Sequence, residues 1–173
     1  MNGGNGNRYH GLYRGTVSIN IDPEQRGRLR LEIPDVLGEG LSNWAMPCVV
    51  FGGARSGAYV VPAVDSGVWV AFEHGDPDRP VWIGGWWGPQ GEIPDPVLQT
   101  PPPAQCYVVQ TTGQNAFVIS DAPGPAGGIA LRTAAGAMIS INETGITITN
   151  GQGATIVMNG PTVTINQDAL VIT

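Results

Sequence analysis

Ile129-Ala130-Leu131, Ile139-Ser140-Ile141, Ile146-Thr147-Ile148, Ile156-Val157-Met158, Val163-Thr164-Ile165 and Leu170-Val171-Ile172 follow one another down the last third of the chain. Ile129 and Leu131 recur as Ile146 and Ile148, and after the same step again as Val163 and Ile165. Ile139 and Ile141 keep that step to Ile156 and Met158, with Asn142 and Asn159 directly behind them. Each repeat therefore holds two short strands. The i, i+2 spacing puts both apolar side chains on one face of an extended strand, while Ser140, Thr147, Thr149, Thr164 and Asn166 fall on the other. A short, constant period of this kind means stacked copies of one supersecondary unit.

The turns agree with that spacing. Ala135-Gly136, Thr144-Gly145, Asn150-Gly151 and Asn159-Gly160-Pro161 stand between the pairs, where the chain must reverse within one or two residues. Phe117 and Ile119 begin the series one unit before Ile139 and Ile141, at a longer step whose extra length lies in the loop from Ala122 to Gly128. Such a ladder does not bury itself. Roughly ten inward aliphatic side chains, worth about 1.5–3 kcal/mol each when buried, lose most of that if left in water.

The economical cover is further copies of the same segment, three faces closing into a narrow prism. The predicted axial residues are Ile129, Leu131, Ile139, Ile141, Ile146, Ile148, Ile156, Met158, Val163, Ile165, Leu170 and Ile172. Closure also removes strand edges, and the chain has no lysine, the residue most used to protect an exposed edge. A single-chain β-solenoid or an edge-to-edge sandwich is the alternative that the pattern leaves open.

The 173 residues allow one or two small domains. Eight arginines against 14 acidic residues give a net charge of -6, which argues against a nucleic-acid partner because phosphate binding needs a basic footprint. Charged residues are only 13%, while Gly reaches 26 and Pro 15, so an all-β chain rich in turns is expected. Cys48 and Cys106 have no metal spacing and no disulfide framework, and read as buried small hydrophobes. Met1 to Asn7 lacks the charged start and apolar run of a signal peptide, so folding in a cytoplasm is expected.

From the N-terminus, residues 1–10 read as a flexible tail and 11–88 as a small barrel. Tyr13 to Ile21 and Arg28 to Ile33 are predicted strands around the turn Asp22 to Gly27, with Leu29, Leu31 and Ile33 on one face and Arg28, Arg30 and Glu32 on the other. Trp44 to Phe51 is a third strand in which Pro47 demands an edge or bulge. Tyr59 to Val61, Val68 to Phe72 and Val81 to Ile83 follow, separated by glycine- and proline-rich turns. About five strands so strongly bent suggest an OB-fold, with the five tryptophans filling its interior. Residues 89–105, with proline at 89, 94, 96, 101, 102 and 103, read as an extended, stiff linker. Residues 106–173 are the repeat domain.

Candidate chemistry is thin. His74, Asp76 and Asp78 are close in sequence, but Gly-Asp-Pro-Asp-Arg-Pro between two strands is turn chemistry and lacks a fourth ligand. Gly52 to Gly57 follows an apolar strand without the Gly-Lys-Ser/Thr ending of a phosphate loop. Arg26, Arg28 and Arg30 could form a single-strand binding face beside aromatic residues, yet the interleaved Glu24 and Glu32 favour a solvated or subunit-facing strand. His10 stands alone. No nucleophile, general base and orienting group occur together, and neither enzyme activity nor a cofactor or metal is expected.

Tyr13-Arg14-Gly15-Thr16-Val17, Asp22-Pro23 through Gly27-Arg28-Leu29, Trp44-Ala45-Met46-Pro47, Val68 to Phe72 and Gly75 to Gly84 together resemble the OB-fold domain of baseplate assembly protein V and of the valine-glycine repeat (VgrG) spikes. Leu131-Arg132-Thr133-Ala134-Ala135-Gly136 resembles the first turns of their trimeric β-helix. The resemblance implies an all-β homotrimer, an N-terminal OB-fold barrel followed by an intertwined triple-stranded β-helical prism of about eight strands per chain. It implies the central spike of a contractile injection system, a needle that pierces a target envelope on sheath contraction and is part of the baseplate of a phage-tail-like particle. The lysozyme domain of some relatives has no counterpart here. Only the short segment before Tyr13 stands where VgrG spikes carry a large hub, so a separate hub protein is expected. Asp168 to Thr173 lacks the His-x-His iron site of some spike tips, so a tip protein of the proline-alanine-alanine-arginine (PAAR) type is the expected C-terminal partner. An OB-fold module binding oligosaccharide or single-stranded nucleic acid, with the repeats as an oligomerisation stalk, is the alternative.

Overall fold

A computed structural model describes residues 7–167 and 169–172, in two compact units, one ending at Gly88 and one beginning at Pro89. Residues 1–6 of the expected tail, with Asp168 and Thr173, lie outside the described residues.

In the first unit, β1 (Tyr13–Ile19) and β2 (Arg30–Glu32) form an antiparallel pair, followed by a one-turn helix α1 (Pro34–Leu37) and β3 (Met46–Pro47). A small hairpin, β4 (Gly52–Gly53) with β5 (Ser56–Gly57), precedes β6 (Gly67–Phe72) and β7 (Pro80–Trp86). Among the described residues the sheet runs β2-β1-β6-β7-β3, and a Leu29–Ala45 bridge joins its two ends into a five-stranded barrel. Alternation decides what lies inside: Val17, Leu29, Leu31, Ile33, Val68 and Val70 are fully buried.

Three expectations about this unit need correction. Trp44 to Phe51 gives only the two-residue β3, parallel to β7, and Tyr59 to Val61 forms no strand. Pro47 has no N–H to extend the ladder, and the chain then leaves as the β4–β5 hairpin. The interior is mainly aliphatic, with Phe72 and Trp82 as its buried aromatics, and Trp82 alone of the tryptophans is buried. Trp69 and Trp86 share the outer face with Arg14, whose guanidinium stacks 5.6 Å and 4.8 Å from their rings. Finally, residues 8–10, assigned to a flexible tail, are tied to the barrel. The Tyr9 N–H donates to Gly75 O at 2.9 Å, its ring packs against Tyr13 and Phe72, and Arg8 donates to His74 O at 3.3 Å.

In the second unit, a one-turn helix α2 (Asp95–Leu98) is followed by β8 (Cys106–Gln110), β9 (Ala116–Ser120), β10 (Gly128–Arg132), β11 (Met138–Asn142), β12 (Gly145–Thr149), β13 (Thr155–Asn159), β14 (Thr162–Ile165) and β15 (Leu170–Ile172). Among the described residues these eight strands form one antiparallel meander in which each pairs with its neighbours in sequence. That is a single open layer, neither a closed solenoid nor a sandwich. Gly151 at the β12–β13 turn shows why glycine is required there. Its φ is +74°, and an added Cβ would stand 2.6 Å from the Gly136 carbonyl carbon.

The proline-rich segment is not the extended spacer expected. It holds a 3-10 turn at Gln90–Glu92 and then α2, in which Pro96 occupies the first turn, where a missing N–H costs nothing. Pro96 is buried, Thr100 Oγ1 lies 3.1 Å from Ser120 Oγ, and Cys106 Sγ donates weakly to Pro96 O at 3.7 Å. The segment thus covers the face of β8 and β9 that carries Ala116, Val118 and Ser120, small side chains that leave room for it.

Candidate functional site

The barrel's polar candidates are occupied by local structure. The Asp22 carboxylate accepts hydrogen bonds from the backbone N–H groups of Glu24, Arg26 and Arg28 at 2.8–3.2 Å and pairs with the Arg28 guanidinium at 2.7 Å. The Arg28 hydrogen bonds hold that carboxyl well below the usual carboxylate range; burial opposes them, and the three backbone donors reinforce them. Arg28 also reaches Glu24 and lies over the Trp44 ring, Arg26 pairs with Glu24, and Arg30 Nε donates to Ser42 O. The three arginines therefore serve their own turn and strand instead of forming a free cationic row.

At the β6–β7 turn, Asp76 accepts from the Asp78 N–H, Asn43 donates to Asp78 O, and His74 adopts φ +55°. These residues shape a turn, and among the described residues no group of three or more His, Cys, Asp or Glu is placed to hold a metal ion. Gly52 to Gly57 forms the β4–β5 hairpin, and the His10 ring lies against Gly75. The expected burial of the cysteines is corrected: Cys48 is exposed, since β3 ends before it, and Cys106 is half-buried on the edge strand β8, where its thiol meets Pro96 O.

The other candidate is a surface. Register brings the twelve predicted axial residues onto one face of the β8–β15 sheet, in two columns. Ile129 pairs with Ile141, Ile141 with Ile146, Ile146 with Met158, Met158 with Val163 and Val163 with Ile172. Leu131 pairs with Ile139, Ile139 with Ile148, Ile148 with Ile156, Ile156 with Ile165 and Ile165 with Leu170. The first column continues through Ile119 to Tyr107 and the second through Phe117 to Val109, so each runs unbroken across all eight strands. Four column residues are missing from the predicted set: Phe117 and Ile119, which were read as the start of the series but not as axial, and Tyr107 and Val109. The signal for Tyr107 and Val109 was there, an i, i+2 pair one strand before Phe117 and Ile119, but both pairs fall outside the constant step of the repeat.

The sheet's own unit leaves this face open. Leu131 is 50% exposed, Ile139 42% and Ile141 45%, whereas Ala130, Ser140 and Asn142 between and beside them are less exposed. The α2 segment reaches the opposite face through Cys106 and Ser120, and Pro125 O accepts from Asn142, also on that side. A large apolar surface that one chain cannot cover marks an interaction site.

Two family models match the chain. Residues 13–87 match the type VI secretion system/phage-baseplate injector OB domain. Residues 106–171 match the phage baseplate V C-terminal trimerisation domain, which spans the whole of the two-column sheet except Ile172. No match is found among curated proteins.

Proposed function

Both units of the chain belong to baseplate V families, an injector OB domain and a trimerisation domain, and from that premise we propose that three copies wind into the piercing spike of a contractile injection machine. The baseplate-spike role is structural, and the families are those of structural proteins rather than enzymes. One observation carries the proposal further: two unbroken apolar columns stand open to water on a single chain, in the domain whose family trimerises. Three such faces turned inward close a prism whose axis is the two columns of each chain. Its outside is then Thr147, Thr149, Thr164, Ser140 and their neighbours.

The mechanical consequence follows from closure. Eight strands stacked about 4.8 Å apart give a shaft of roughly 40 Å, with a dry apolar axis that resists bending. Sheath contraction drives the tube, and a narrow trimer at its front concentrates the force on a small area of target envelope. A separate hub protein, and a tip protein of the PAAR type, complete the machine; the family resemblance alone supports them. The solution mass by light scattering, before and after mild heating, tests the trimer. The expected result is one heat-resistant species at three times 18.1 kDa. A folded single chain would refute it. For the piercing step, particles assembled with a chain defective in prism closure should contract without permeabilising target cells.

A further inference from the structure

One apolar surface of the barrel unit is used by nothing described so far. Between β3 and β6, Val50 is 93% exposed, Phe51 61%, Tyr59 64% and Val60 69%. They flank a built hairpin. Gly52 pairs with Gly57 and Gly53 with Ser56, and the Ala58 N–H donates to Phe51 O at 3.2 Å. Tyr59 is seated on the barrel, where its ring lies against Gly27 closely enough that an added Cβ would come within 3.3 Å. The arm therefore holds its apolar flanks outward at a fixed place.

Its charge is distinctive. From Cys48 to Val64 the only charged side chain is Arg55, in the turn of the hairpin, while the rest of the chain up to Gly88 has six arginines against nine carboxylates. An apolar arm with a cationic tip is complementary to an acidic surface, and the barrel itself is one.

We propose that the hairpin of each chain seats on the barrel of a neighbouring copy, with Val50, Phe51 and Val60 against its surface and Arg55 among its carboxylates. This rests on the trimeric reading above. A trimerisation domain tethers three barrels to one shaft, and tethering of this kind raises the effective concentration to about millimolar. A patch too small to hold free chains together is then occupied. Head-to-tail contacts related by a threefold axis close on themselves, so each arm finds a barrel and none is left over.

The test places a photoreactive benzoylphenylalanine at Val50 of the full chain, which its exposure permits, and reads native mass together with cross-linked products mapped by mass spectrometry. The expected result is a three-chain mass with Val50 joined to residues 7–88 of another chain. In this background Arg55→Glu should reduce the cross-linked fraction severalfold without changing the mass. A three-chain mass with cross-links only within the chain, or an arm that is protected only when a different protein is added, overturns the inference and leaves the spike reading intact. A single-chain mass overturns both.

Discussion

Ile148→Asp tests the axial face most sharply. Ile148 sits in the middle of its column, paired with Ile139 on one side and Ile156 on the other. Eleven of the sixteen column residues keep between 38% and 59% of their surface exposed in the single chain. At about 1.5–3 kcal/mol for a whole side chain, removing that remainder from water contributes roughly 8–15 kcal/mol per chain to closure. Aspartate at position 148 loses the aliphatic share and brings three carboxylates together. Each costs several kcal/mol to desolvate, so the penalty across the trimer is on the order of 10 kcal/mol, many decades in the assembly constant. Thr147→Asp is the control, because a one-residue step moves the charge to the outer face. Light scattering at neutral pH should find single chains for Ile148→Asp and trimers for Thr147→Asp. Lowering the pH should restore some of the former, since a neutral carboxyl is cheaper to bury. A heat-stable Ile148→Asp trimer, or equal disruption by both variants, would refute the axial placement.

Asp22→Asn should flatten the acid side of the barrel's stability profile. The folded Asp22 carboxyl titrates below its unfolded value of about 3.9, so its contribution is present above that value and is lost as pH falls through the folded one. Melting curves of the two proteins should therefore differ at neutral pH and converge in strong acid. Leu31→Ala removes a fully buried side chain at a cost of about 2–5 kcal/mol, and calorimetry should show the barrel transition fall while the sheet transition stays. Gly151→Ala combines a left-handed φ with a backbone collision at Gly136, and should lower the melting temperature of the sheet unit by more than an ordinary surface change does.

Much of the sheet was legible because its physics is local. The i, i+2 pairs assign faces, the glycine turns between them set the register, and a constant repeat step makes Ile129, Ile146 and Val163 equivalent. The barrel's inner face was legible for the same reason at Leu29, Leu31 and Ile33. The proline-rich segment misled because six prolines suggest an extended chain, whereas Asp95-Pro96 starts a helical turn once the β9 surface is there to receive it. The tryptophans misled because size suggests a core; position on the pleat puts Trp69 and Trp86 outside, against Arg14.

By itself the sequence determined which residues face together, since periodicity is a property of neighbouring backbone units. Only the tertiary structure decided that the two apolar columns run unbroken from Tyr107 and Val109 to Ile172 and Leu170, and that, among the described residues of their own unit, nothing covers them. Cover depends on contacts between distant segments, and it is those contacts that place α2 on the other face and leave the columns free for further copies.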